Sequence, residues 1–216
     1  MKTEQDSALT EMHATMCTMA LMYMPNDSPP HAKDDPTLIP PQLIPRLTQL
    51  AADDGYAVRY VDGNLDTGGI VPEEAAHAVL GVTTPRDHLI ELRADMSPAS
   101  TARTLVHELV HADYNYVAAQ DSRLAQARTV MCLSPGLRAL EELHAQSVSG
   151  LVCSTLNVAD IAFTAQFLAT WSDGDGVMME AVRSTAAFHA DMMLQLILND
   201  GELVQQLAAL KKGKLT

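Results

Sequence analysis

The chain has 216 residues, enough for one domain with a full hydrophobic core and a short appendage. A net charge of −13 and a pI near 4.8 leave no basic patch to neutralise phosphates, which argues against nucleic acid as the main partner. No apolar run approaches the 18 residues of a membrane span, and Glu4, Asp6 and Glu11 stand where a secretory signal would carry basic residues.

Residues 7–24 carry Leu9, Met12, Met16, Met19, Ala20 and Met24 at three- and four-residue steps, which predicts an amphipathic helix over 1–24 ending before Pro25. Its methionines read as packing residues, and His13 with Cys17, four apart, has nothing else converging on it. Seven of the eleven prolines then fall in 25–45, a composition that reads as an extended connector. The globular domain is expected over 46–216, with residues 1–45 dispensable for its site. Cys17, Cys132 and Cys153 are odd in number and form no Cys-x-x-Cys pair, so reduced thiols in a cytoplasmic protein are expected. Export as a leaderless effector is the alternative setting.

In the globular part, Arg46 to Ala52 predicts a short helix closed by the turn Asp53-Asp54-Gly55. Tyr56–Val61, His77–Thr83 and His88–Arg93 predict strands, the last two forming a hairpin around Thr84-Pro85-Arg86-Asp87. Ser97-Pro98 is a helix start, and no Gly or Pro interrupts the chain from there to about Gln120. Further helices are predicted over 121–131, from Ser134-Pro135 to about Val152, and over 157–171, 177–198 and 202–210. The basic tail Lys211-Lys212-Gly213-Lys214 reads as a solvated end.

The chemistry concentrates in His107-Glu108-Leu109-Val110-His111. Residues four apart on a helix share a face, so the two imidazoles converge on one point, a spacing that suits Zn²⁺. Glu108 is turned about 100° from His107 and can serve as general base for a bound water without being a ligand. Leu105, Val106, Leu109 and Val110 surround this polar stripe, so the helix reads as buried on most sides.

A catalytic zinc needs a third protein ligand. Val117 occupies the place where a metzincin carries its third histidine, so a carboxylate on a later helix is expected, and Glu141-Glu142 lies about thirty residues on. With Leu137 as zero, Leu140, Glu141, His144, Val148 and Leu151 fall within roughly 60° of one direction, and Glu142 points about 140° away. That phase favours Glu141 as ligand, with Glu142 the alternative and otherwise a solvated residue. His144, one turn on from Glu141, could orient a ligand, steady a transition state or pack in the core. Tyr114, within about 20° of His107 around the helix, could donate to a developing oxyanion or pack. Asp113 could accept from a ligand histidine.

The segment from Leu89-Ile90-Glu91-Leu92-Arg93 through Ser97-Pro98 to His111-Ala112, with Glu141-Glu142-Leu143-His144-Ala145-Gln146, resembles the gluzincin clan in its small bacterial form. It is similar to metallopeptidases of phages and mobile elements, including those that clear transcriptional repressors, and to zinc peptidases delivered as effectors. The resemblance spans about residues 77–150. It implies an α+β, helix-rich zincin-like (minigluzincin) fold with a small antiparallel sheet packed on the active-site helix. It also implies an edge strand, placed at 88–93, that pairs with an extended peptide. The expected function is a zinc metallopeptidase acting on one or a few proteins, with His107, His111 and Glu141 as ligands and Glu108, Tyr114 and His144 as catalytic candidates. Rival readings are a regulatory module with a structural zinc and a hydrolase of non-peptide amides.

Overall fold

The computed structural model describes residues 20–23, 39–66, 79–120, 135–158 and 176–212. These form an α+β arrangement in which helices predominate and a four-stranded mixed sheet packs on one of them. The strands are β1 (Ala20–Tyr23), β2 (Ala57–Val61), β3 (Val79–Thr84) and β4 (Leu89–Arg93), in the order β1-β3-β4-β2. The helices are α1 (Leu43–Asp53), α2 (Pro98–Gln120), α3 (Pro135–Thr155), α4 (Gly176–Leu198) and α5 (Gly201–Lys211).

α2 is the centre. Ser97 begins it as expected, its Oγ accepting from the Ser100 amide at 3.2 Å, with Pro98 in the first turn where a missing N–H costs nothing. Every residue from Thr101 to Ala112 is buried. α1 covers one side through Leu43, Leu47 and Leu50, α3 another through Leu143, Val148 and Val152, and β4 adds Ile90 and Leu92 to the same core. α4 closes the outside of α3 with Val182, Ala186 and Ala190.

The β3–β4 hairpin forms as expected, antiparallel with Val82 opposite Glu91 and a 3₁₀ turn over Pro85–Asp87. Three expectations about the sheet are corrected. It is mixed, because β2 runs parallel to β4, with Arg59 opposite Glu91 and their side chains paired at 2.6 Å. β4 is internal rather than an edge, since β3 and β2 flank it. The edges are β2, whose residues are exposed or half-buried, and β1.

β1 is the third correction. Residues 20–23, expected as the end of the amphipathic helix, lie extended and antiparallel to β3, with Ala20 opposite Thr83. The row of free backbone groups along β3 explains why a local helical pattern yields there. The rest of the expected helix, and most of the proline-rich connector, lie outside the described residues. So do the expected helix at 121–131, the strand start at His77, and nearly all of the helix expected at 157–171.

The connector also ends earlier than the prolines indicate. Ile39 and Leu43 are core residues, and α1 begins at Leu43 with Pro45 in its first turn. Gln206 Oε1 accepts from the Gln42 amide at 2.9 Å, and Arg46 donates to the Leu196 carbonyl at the end of α4 at 2.6 Å. The expected boundary between 45 and 46 therefore cuts a packed helix. Gly55, at φ +84°, ends α1 in the left-handed conformation that favours glycine, as the Asp-Asp-Gly turn indicates. No helix among the described residues is long and apolar enough to cross a membrane.

Leu43→Ala should lower unfolding free energy by about 2–5 kcal/mol in urea denaturation, the range for a buried leucine. A chain beginning at residue 46 should lose more, because it removes Ile39 and the first turn of α1 together. Wild-type stability in the shortened chain would contradict this placement.

Candidate metal centre

α2 and α3 face each other, and the polar residues lie on the surface between them. Ser149 Oγ on α3 donates to the Arg103 carbonyl on α2 at 2.9 Å, one fixed point in this packing. One helical turn separates His107 from His111, and their Nε2 atoms sit 3.1 Å apart. Glu142 Oε2 comes in from α3 at 3.4 Å from His107 Nε2 and 3.6 Å from His111 Nε2. All three residues are buried, and together they are a group that could hold a metal ion.

The spacing fits a small tetrahedral cation. Two ligands bonded at about 2.0–2.1 Å with tetrahedral angles lie about 3.3 Å from each other. The observed separations of 3.1, 3.4 and 3.6 Å straddle that value on all three edges. Glu142 Oε2 makes no hydrogen bond to any described group, which leaves its lone pairs for a cation. Two imidazoles and a carboxylate are also the donor types that zinc takes.

The third member is therefore Glu142 and not Glu141, a correction to the favoured choice. Glu141 Oε1 instead accepts from His111 Nδ1 at 2.8 Å, which fixes the ring with Nε2 toward the cluster. Helical phase does not separate the two carboxylates because α3 is buried around its whole circumference from Glu141 to Gln146, between α2 and α4. With no solvent face in that stretch, apolar neighbours cannot say which carboxylate turns toward α2. Glu142, expected to be solvated, is 1 % exposed.

Electrostatics follow from burial and proximity. Burial opposes charge on His111, but Glu142 and Glu141 overcome it and push its pKa up to about 10. Burial would also raise Glu142, yet the two histidines hold it well below the usual carboxylate range. Burial keeps His107 below its ordinary value despite Glu142, so without metal His111 carries the proton. Glu108 is wholly buried, and burial pushes it up to about 8 against the pull of His111 and a hydrogen bond from Thr83.

Tyr114 and His144 are brought together, the phenol oxygen 2.5 Å from His144 Nδ1, beside the cluster and outside it. Burial and the nearby His189 lower His144 to about 4, so it is a neutral ring, and Nδ1 accepts from the phenol. Asp113 does not reach a ligand histidine; its carboxylate pairs with His189 Nε2 at 3.0 Å. Two residues escaped the sequence reading. Gln146, wholly buried one turn beyond Glu142, lies against His107. Thr83 reaches Glu108 from β3 at 2.7 Å. Only the Glu-x-x-x-Gln spacing on α3 pointed to the first, and nothing local pointed to the second.

Glu142→Ala should abolish tight metal binding, while Glu141→Ala should weaken it by about 10–100-fold, the usual effect of losing an orienting partner. Competition with a chelator at one pH measures both; the reverse ranking would return the ligand role to Glu141. The pH dependence of the metal-free chain has a definite sign. Glu108 and His111 both hold protons more tightly folded than unfolded, so their stabilisation is complete below their unfolded pKa values and is lost as pH rises through about 8 for Glu108 and about 10 for His111. Stability of the metal-free protein should therefore drop between pH 7 and 10, and bound metal, which needs His111 neutral, should flatten that drop. Urea midpoints across this range, with and without zinc, are the check.

No protein-family model, curated protein or solved structure matches the chain.

Proposed function

We propose that the chain is a zinc-dependent metallopeptidase that hydrolyses peptide bonds in one or a few protein substrates. The observation that carries this reading is a buried carboxylate beside a buried metal-binding group. Glu108 lies one residue from His107 on α2, is fully enclosed, and feels the charges of both His111 and Glu142. Its Oε1 is buried with no hydrogen-bond partner among the described residues, a costly condition unless that atom has a proton to accept.

His107, His111 and Glu142 would hold the ion. Zinc held there would supply Lewis acidity and an acidified water, with a pKa of about 7. Glu108 would accept a proton from the attacking water on Oε1 and return it to the leaving amine. Glu141 keeps His111 in the tautomer that presents Nε2, and His144 holds the Tyr114 hydroxyl beside the site. The number of donors favours catalysis over a structural role. Structural zinc sites close with four protein ligands and catalytic ones use three, and three donors are assembled here among the described residues.

Glu108→Gln should retain zinc and the fold while cleavage of a peptide library falls by about 10²–10⁴-fold, the usual contribution of a general base. Cleavage at the wild-type rate would remove Glu108 from the mechanism. A zinc-loaded wild-type chain that cuts no peptide bond would remove the peptidase reading itself.

A further inference from the structure

Residues two apart on a strand share a face, and Gly81 and Thr83 of β3 both turn toward Glu108 on α2. Thr83 Oγ1 lies 2.7 Å from Glu108 Oε2 and 3.1 Å from the Glu108 carbonyl oxygen. Gly81 is where the strand backbone comes closest. A Cβ there would stand 2.6 Å from Thr104 Cγ2 and 2.9 Å from both Cγ and Oε1 of Glu108. Thr83 is 1 % exposed, so bulk solvent does not reach the contact.

The geometry points to Thr83 as the positioning residue of the general base, with Gly81 as the gap that lets the base lie against β3; this inference rests on the peptidase reading above. The terminal torsion of a glutamate is soft, so an untethered carboxylate would present either oxygen in a range of orientations. Thr83 removes that freedom by holding Oε2. The other oxygen, Oε1, is left buried and without a hydrogen-bond partner among the described residues, which leaves it to accept a proton.

A hydroxyl suits this place better than a stronger donor. It has one hydrogen and two lone pairs. With Glu108 ionised, Thr83 donates to Oε2. With the proton taken up on Oε1, Oε2 is a carbonyl oxygen and still accepts from Thr83. The tether thus persists through both halves of the proton's passage, from water to Oε1 and from Oε1 to the amine, and the carboxyl group keeps one orientation. A lysine or arginine in its place would bind the carboxylate too strongly for it to accept a proton readily. The second acceptor within reach, the Glu108 carbonyl, lets the hydroxyl hydrogen turn away without being stranded.

The test uses the full-length chain carrying Thr83→Val, which replaces the hydroxyl by a methyl of the same shape, and Thr83→Ser, which keeps it. In the zinc-loaded protein, Thr83→Val should lower kcat by about 10–100-fold, the rate equivalent of a lost hydrogen bond to a charged group. KM and zinc affinity by chelator competition should be unchanged, and Thr83→Ser should recover most of the rate. A second readout needs no activity. In the metal-free chain, Thr83→Val should lower the thermal midpoint by about 2–4 °C, and in a Glu108→Met background it should lower it by clearly less, because only the contact with the residue 108 carbonyl is then lost. Equal cost in both backgrounds, or wild-type kcat in Thr83→Val, would overturn the assignment. If wild type cleaves nothing while the coupling to Glu108 is present, the peptidase reading fails and the Thr83 tether stands.

Discussion

Four ionisable side chains, His107, Glu108, His111 and Glu142, are enclosed with almost no solvent contact between two helices and a strand. Enclosing such groups is expensive, and a buried ion pair seldom repays its own desolvation with net stability. The site is therefore a load that the surrounding core must carry. The layout meets that requirement: α2 is covered by α1, α3, β3 and β4, and α4 packs on the outside of α3. Without metal the cluster balances itself, His111 holding a proton between Glu141 and Glu142. A divalent cation would replace that single proton with a stronger positive charge among the same donors.

The parts of the site that follow from local rules were legible in the sequence. His107 and His111 meet because residues four apart on any helix do, and Ser97-Pro98 fixed where that helix begins. Parts that depend on how elements meet were not. Glu141 and Glu142 differ by one helical step, and only the packing of α3 between α2 and α4 decides which of them faces the imidazoles. Thr83 is one threonine of a β-rich segment until β3 is laid on α2. The proline-rich stretch misled for a related reason: its last residues, from Ile39 onward, and Arg46 just after it join the core and contact α4 and α5, 150 or more positions away in the chain.

The sheet shows the same division. The β3–β4 hairpin is local, and its turn was visible. The parallel pairing of β2 with β4 and the antiparallel addition of β1 to β3 join distant segments, and neither leaves a periodic trace. β1 overrides a helical pattern of methionines at residues 20–23, where the unpaired edge of β3 offers backbone hydrogen bonds. That edge belongs to the strand that holds the base, so the sheet serves the site as much as the core.

The central claim is that two imidazoles and the Glu142 carboxylate form one zinc site. The zinc K-edge absorption spectrum of the protein loaded with one equivalent of zinc tests it most directly. The account predicts a four-coordinate shell of nitrogen and oxygen at about 2.0–2.2 Å, with the outer-shell scattering of two imidazoles and no sulfur. A sulfur shell near 2.3 Å, a single imidazole, or failure to retain the equivalent of zinc would contradict it.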